Sequence, residues 1–287
     1  MHTKLIHVTD PHLPPAGQTL CALDAAARLR SVVRDVNRLH GDAAALILTG
    51  DIAYHGLEAG YQLAREILGE LTIPCHLLLG NHDDRGVFKQ LFNETPVDDG
   101  GFVQYVVETS AGSLIMLDTV HHGHEDGEMC AARLAWLEAR LSERAGRPVF
   151  VFMHHPPFDI GIGSVDACKM THGSELAKCL KAHGNVRHIF YGHVHRAVAG
   201  SWHGLPATAL PSTNHQVGLL LDPAEEMIGT HEPPAYGVVL IDDDTVVVHH
   251  TYFADTSPRF LLMDKRSMDA ASDADLVALP EKLQRRV

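Results

Sequence analysis

Five times along this chain a short apolar run ends at a residue able to bind a metal. Residues 5–9 lead into Asp10-Pro11-His12 and residues 44–49 into Gly50-Asp51. Residues 76–79 lead into Gly80-Asn81-His82-Asp83, residues 149–153 into His154-His155-Pro156-Pro157, and residues 186–191 into Gly192-His193-Val194-His195. Apolar runs of this length bounded by Gly and Pro read as buried strands. Side-chain direction in extended chain repeats every second residue, so Asp10 with His12, and His193 with His195, each form a two-pronged fork. Gly50 and Gly192 stand where the chain must turn sharply, a place where a residue without Cβ meets no steric penalty. Between the runs, apolar residues recur at helical spacing. Leu23, Ala26, Leu29, Val32, Val33, Val36 and Leu39 mark one helix stopped by Gly41. Further helices are expected over residues 57–71, over residues 131–144 with Leu134, Leu137 and Leu141 on one face, and from a Ser174 cap to His183. Strands alternating with helices specify an α/β fold, and parallel α/β sheets place ligand sites at the C-terminal ends of their strands.

The rhythm changes after residue 100. Residues 102–109 and 113–118, turning at Ala111-Gly112, read as an antiparallel pair that starts a second sheet. Residues 205–210, 236–241 and 246–253 are expected to complete that second sheet, with Asp242-Asp243-Asp244 as a polar turn. The loop 119–129, carrying His121, His122 and His124, reads as solvated coil, with a rim over the strand ends as the alternative, and the loop 158–173 as one wall of a pocket. The polar stretch Pro211-Ser212-Thr213-Asn214-His215-Gln216 places His215 within reach of the same mouth. One domain is expected over residues 1–255, followed by a weakly patterned tail, residues 256–287, available for an oligomer contact.

Composition removes several classes of function. No apolar stretch approaches the roughly 18 residues of a membrane span, and none of signal length opens the chain, so a cytoplasmic protein is expected. Five cysteines without a Cys-x-x-Cys pair give neither a disulfide framework nor a zinc ribbon; mostly buried free thiols are expected. A net charge of −13 with no basic stripe repels a nucleic-acid polymer, while bound cations would still admit a small anion. Gly161-Ile162-Gly163 lacks the phosphate-loop pattern, and Cys168 and Cys179 have no Cys-His arrangement. His183, His188, His249 and His250 have no partner spacing and read as surface or satisfied core residues.

The remaining donors are Asp10, His12, Asp51, Asn81, one of His154 and His155, His193 and His195. Seven donors exceed what one metal needs, whereas two adjacent cations sharing a bridging carboxylate use them all. The absence of thiolate favours Mn, Fe, Co or Zn in a catalytic site over a structural zinc.

The ordered series Asp10-x-His12, Gly50-Asp51, Gly80-Asn81-His82-Asp83, His154-His155-Pro156-Pro157 and Gly192-His193-x-His195 resembles the calcineurin-like metallophosphoesterase family across about residues 4–195. Leu117-Asp118-Thr119, the Gly127-Glu128 context before Trp136-Leu137, and Asn214-His215-Gln216 are similar to bacterial phosphodiesterases acting on cyclic nucleotides or glycerophosphodiesters. The resemblance implies a four-layer α/β/β/α sandwich with two mixed sheets flanked by helices. It implies that Asp10, His12, Asp51 and His195 hold one metal, that Asp51, Asn81, His154 and His193 hold the other, and that Asp51 bridges them. It gives His82 and His215 roles beside the substrate phosphate, without a metal bond. Asp83 and His155 are then expected to orient ligands, since a metal-bound imidazole usually gives its other N–H to an acceptor. The resemblance also implies a homo-oligomer.

The expected activity is hydrolysis of a small phosphodiester, such as 3′,5′-cAMP or a glycerophosphodiester, by water that two neighbouring cations activate. His82 is the candidate proton donor to the leaving alkoxide. The alternatives are a nuclease or phosphomonoesterase of the same superfamily, or a non-enzymatic metal-bound scaffold. The charge argues against the nuclease, and the filled ligand positions argue against the scaffold.

Overall fold

The structure, a computed structural model, describes residues 2–221, 226–257 and 259. Residues 260–287, most of the tail expected from the sequence, lie outside the described residues. The described chain forms one compact unit up to Phe253, and Ala254 begins a second.

In the first unit, β1 (Thr3–Val8), β2 (Ala45–Thr49) and β3 (Cys75–Leu78) run parallel in one sheet. The second sheet is built from β4 (Tyr105–Thr109), β5 (Gly112–Met116), β6 (Val149–Phe152), β7 (Val186–Tyr191), β8 (Val198–Trp202) and β9 (Leu205–Ala209). Its central strands β5, β6, β7 and β9 are parallel, and the hairpin partners β4 and β8 close its two edges antiparallel. The strands β10 (Tyr236–Ile241) and β11 (Val246–Thr251) correct the sequence expectation: they extend the first sheet, in the order β11-β10-β1-β2-β3. β10 lies antiparallel to β1, with Thr3 opposite Ile241 and His7 opposite Gly237. A six-residue β-branched strand fits the open edge of either sheet, so its composition does not encode its neighbour.

Alternation along the second sheet shows how the layers stack. Leu114, Met116, Phe150, Phe152 and Phe190 join the core shared with the first sheet. Their chain neighbours Ile115, Leu117, Val149, Val151 and Ile189 face the other way into a second core. The helices α1 (Ala25–Leu39) and α2 (Glu58–Leu68) cover the first sheet through Leu29, Val32, Val36, Leu63 and Ile67. The helices α4 (Ala131–Ser142) and α5 (Gly173–His183) cover the second through Leu137, Leu141, Leu176 and Leu180. The result is the expected four-layer α/β/β/α sandwich; its inner strands β2, β5 and β6 are buried on both faces and read as continuous apolar runs, while the edge strands β4, β8 and β11 are partly exposed.

Local details depart from expectation in instructive ways. α1 begins after Asp24, whose carboxylate accepts from the Ala27 N–H at 2.9 Å. Ser174 does not cap α5; its hydroxyl donates to Glu175, and left-handed His172 stands at the cap position. The helix α3 (Arg85–Leu91), capped by Asp84 accepting from Val87, is two turns long and too short to show a period. Of the cysteines only Cys179 is buried; Cys21 is exposed and the others are half-buried. Among the described residues, no helix is long and apolar enough to cross a membrane.

Two buried histidines tie the fold to pH. His188 is the satisfied core histidine expected from the sequence, its Nε2 3.0 Å from Thr208 Oγ1 and its ring on Phe190. Burial pushes it down to about 4, and it pushes His7 down to about 3. Both are neutral in the fold while the unfolded chain takes up protons near pH 6.5, so their contribution is intact above that pH and lost as pH falls towards 4. At about 1.4 kcal/mol per unit, His188 alone accounts for at most roughly 3 kcal/mol by pH 4. His188→Gln is expected to flatten the fall of urea midpoint between pH 6.5 and 4; an unchanged slope contradicts this.

Candidate dimetal centre

The strand ends bring the predicted donors together. Asp10, His12, Asp51, His154 and His195 are buried, while Asn81 and His193 are half-buried. His12 Nε2 lies 3.0 Å from His195 Nε2 and 3.4 Å from Asp51 Oδ2. His195 Nε2 is 3.5 Å from Asp10 Oδ1. On the other side, His154 Nε2 is also 3.4 Å from Asp51 Oδ2 and 3.1 Å from Asn81 Oδ1, and His193 Nδ1 is 3.0 Å from the same amide oxygen. Asp51 therefore stands between two donor groups, one made with Asp10, His12 and His195, the other with Asn81, His154 and His193.

The backbone makes this convergence possible at a cost. Asp10, His12, Asp51, His193 and His195 all adopt positive φ, between 46° and 68°. Such conformations in non-glycine residues cost of order 1–3 kcal/mol each and persist where the surroundings over-determine them. Gly50 answers to two demands, a φ of 96° and a Cβ that would stand 2.6 Å from Gly80 N and His154 Nδ1, whereas Gly192 lacks a positive φ and is dictated by crowding alone: a Cβ there would stand 2.2 Å from Thr9 Oγ1. Asp83 does not receive an N–H from a ligating imidazole, as the sequence reading had it. Its carboxylate accepts from the N–H groups of Ile52, Ala53 and Gly80 and from Tyr61 Oη, tying the turn after β2 to the turn after β3.

Two of the ring nitrogens facing away from the cluster are held by carbonyls, whereas His12 Nδ1 is buried without a partner. His154 Nδ1 lies 2.7 Å from Thr49 O and His195 Nδ1 2.8 Å from His215 O, so both Nε2 atoms are turned inward. His155 uses Nδ1 on Thr119 Oγ1, at 2.8 Å, and its Nε2 is buried without a partner. His155 stands near His154 and His193 but makes no contact that orients a ligand nitrogen, which corrects its expected role.

The electrostatics call for positive charge. Asp10 and Asp51 are buried against one another, and among the described residues their ion-pair partners are histidines alone. Burial raises both carboxyls, but His195 beside Asp10 and His154 beside Asp51 override it and hold them below the ordinary carboxylate range. Reciprocally, burial lowers His154, yet Asp51 lifts it to about 9; Asp10 likewise lifts His195 against burial. Burial keeps His12 well below its ordinary value and takes His193 to about 3, so both present bare nitrogens. Two buried carboxylates, an amide oxygen and four inward imidazole nitrogens match two borderline divalent cations in donor type and number.

This centre floors a pocket of about 250 Å³ lined by His12, Asp51, Asn81, His82, His193, His195 and His215. His82 is fixed through its backbone, whose N–H donates to Asp51 Oδ1 at 2.9 Å, and its ring stands over His12. His215 packs against His12 and His195. Two further residues escaped the sequence reading. Tyr54 lines the pocket with its ring near His82, and Glu125 accepts from Asn81 Nδ2 at 2.7 Å. Glu125 places the loop 119–129 at the pocket mouth, which corrects the solvated-coil reading in favour of the rim, and Cys168 brings the loop 158–173 to the wall. His121, His124 and Asp126 also cluster, but the two rings stack within 3° of parallel at 3.8 Å. Because a ligated metal lies near the plane of each imidazole, parallel stacked rings do not converge on one ion.

Fold and centre together define a metal-dependent phosphoesterase class. The model of the calcineurin-like phosphoesterase family matches residues 3–197, and the chain belongs to that family. It is 36% identical over 272 residues to a probable cyclic nucleotide phosphodiesterase of Rhodopseudomonas palustris, covering 94% of this chain and 99% of that one. It is 32% identical to the glycerophosphodiester phosphodiesterase GpdQ of Enterobacter lignolyticus, covering 74% of this chain and 78% of the relative. Among solved structures, a dimetal phosphatase from Danio rerio superposes with a TM-score of 0.66 at 13% identity, over 88% of this chain and 96% of that one. This last likeness concerns the fold. Calcineurin-like phosphoesterases use a dimetal centre, and the Asp/His cluster here is compatible with one.

Proposed function

We propose that the protein is a dimetal phosphodiesterase acting on small diesters, such as a cyclic nucleotide or a glycerophosphodiester. The carrying observation is Asp51 Oδ2, equidistant at 3.4 Å from His12 Nε2 and His154 Nε2. In this reading Asp10, His12, Asp51 and His195 hold one cation, and Asp51, Asn81, His154 and His193 the other, with Mn, Fe, Co or Zn as the ions. When bound, the pair would activate water and neutralise the phosphate oxygens. The chain's own residues then orient the diester and handle the proton. The half-buried His82 donates a proton to the leaving alkoxide, and His215, also packed on His12, contacts the phosphate.

The pocket favours a diester over a monoester. The ligand set aside, Glu125 is its acidic lining residue, and among the described residues no lysine or arginine lines it. A diester brings a single negative charge, whereas a monoester dianion meets Glu125 without an added cationic side chain. Leu20, Tyr54, Val217 and Met227 supply apolar and aromatic surface for the alcohol portion. The charge of −13 and the relatives' names support a small substrate rather than a nucleic-acid polymer. A cytoplasmic location, a homo-oligomer and a catalytic domain over residues 1–255 complete the proposal.

Turnover of bis(p-nitrophenyl) phosphate is expected to vanish on chelation and return with Mn²⁺, and to exceed turnover of p-nitrophenyl phosphate. Chelator-resistant hydrolysis, or a preference for the monoester, contradicts the proposal.

A further inference from the structure

Behind Asp10, away from the pocket, a line of polar side chains runs through the apolar layer between the sheets. His7, Thr9 and Thr49 are each fully buried. His7 Nε2 lies 2.9 Å from Thr49 Oγ1, Thr49 Oγ1 lies 2.9 Å from Thr9 Oγ1, and Thr9 Oγ1 lies 2.6 Å from Asp10 Oδ2. The rings of Phe152 and Phe190 stand edge-on to His7 at 5.8 Å and exclude water from it. Burying these groups in such a layer costs free energy unless they serve one another.

The protons can be placed by counting. An ionised carboxylate only accepts, so the Thr9 hydroxyl must donate to Asp10. Having spent its one proton, Thr9 Oγ1 must accept from Thr49. Thr49 has then spent its own, its other acceptor, Val8 O, being distant at 3.5 Å. The remaining lone pair of Thr49 faces His7 Nε2, which must carry the hydrogen. Consistent with this, His7 Nδ1 is buried with no partner, as befits a bare nitrogen whose ring has already placed its one proton. All three hydrogen bonds therefore point the same way, towards Asp10 Oδ2. Aligned hydrogen bonds in a dry interior polarise one another.

We propose that His7 is a positioning residue for the metal centre: through Thr49 and Thr9 it locks Asp10 Oδ2 and leaves Oδ1 turned towards His12, His154 and His195. The opposite side of the carboxylate is fixed too, since the His193 N–H donates to Oδ2 at 3.1 Å and to Oδ1 at 3.3 Å. Asp10 is thus held before any cation arrives, and the remote His7 sets how tightly it is held. The crowding at Gly192 preserves this arrangement, because any side chain there would strike Thr9 Oγ1. The inference rests on the reading of Asp10 as a metal ligand.

Two measurements test it. Nitrogen-15 spectra of the labelled protein, with the His7 signals assigned by their loss in His7→Gln, are expected to show a protonated Nε2 and a bare Nδ1. Mn²⁺ affinity is expected to fall about tenfold or more in Thr9→Val. It should fall several-fold in His7→Leu and Thr49→Val, and recover to within about twofold in His7→Gln, whose amide N–H reaches the same oxygen. Thermal unfolding of each metal-free variant separates loss of affinity from loss of fold; if His7→Leu does not fold, Thr49→Val and the spectrum carry the test. An Nδ1-protonated His7 overturns the inference, as does unchanged Mn²⁺ affinity in Thr49→Val or His7→Leu beside normal binding by the unmodified protein. Failure of the unmodified protein to bind Mn²⁺ overturns the reading of the centre as well.

Discussion

Asp51→Asn is expected to lower diester turnover by at least about a thousandfold and to reduce bound metal from two equivalents to one or fewer. Asp51 occupies the one position shared by both donor groups, with Oδ2 3.4 Å from a histidine of each. Its other oxygen is committed to the His82 N–H. An asparagine carries no charge, and with its oxygen between the two histidines its amide nitrogen would face the His82 N–H, so it weakens the bridge and removes half of the centre's carboxylate charge together. The substitution is nearly isosteric, and the surrounding turns remain tied by Asp83. A folded, metal-poor and inactive variant is therefore the expected result. Retention of two equivalents of metal with more than a tenth of the activity contradicts it.

His82→Ala is expected to lower kcat about 10²- to 10⁴-fold while two metal equivalents remain bound. Only its backbone touches Asp51, and an alanine keeps that N–H. The side chain contributes instead to the pocket, where its ring stands beside Tyr54 and over His12. Loss of a proton donor acts on the leaving alkoxide, so a substrate with a good leaving group such as p-nitrophenolate should lose less than an alkyl diester. An equal loss on both substrates, or loss of metal, assigns His82 a structural role and contradicts the account.

The donor set was legible because its signal is local. Each donor follows directly on an apolar strand, and the C-terminal ends of parallel strands share one rim whatever the intervening helices do. Asp10, His12, Asp51, Asn81, His154, His193 and His195 converge for that reason. Strand pairing was less legible: β10 and β11 fill the open edge beside β1, and their apolar sequence suits either sheet. Asp83 was misread because a carboxylate close to ligands in sequence looks like a partner for them, whereas its neighbours in space are backbone N–H groups. Glu125 lies 44 residues from Asn81, and no periodicity announces a contact between a loop and a strand end. His7 reads as one polar residue in an apolar strand; only the packing of β1 against β2 reveals what it faces.

Anomalous diffraction from crystals soaked in Mn²⁺ tests the two-cation centre most directly. The account predicts two peaks about 3.5–4 Å apart on either side of Asp51 Oδ2, one beside His12 and His195, the other beside Asn81, His154 and His193. A single peak, or none at Asp51, contradicts it.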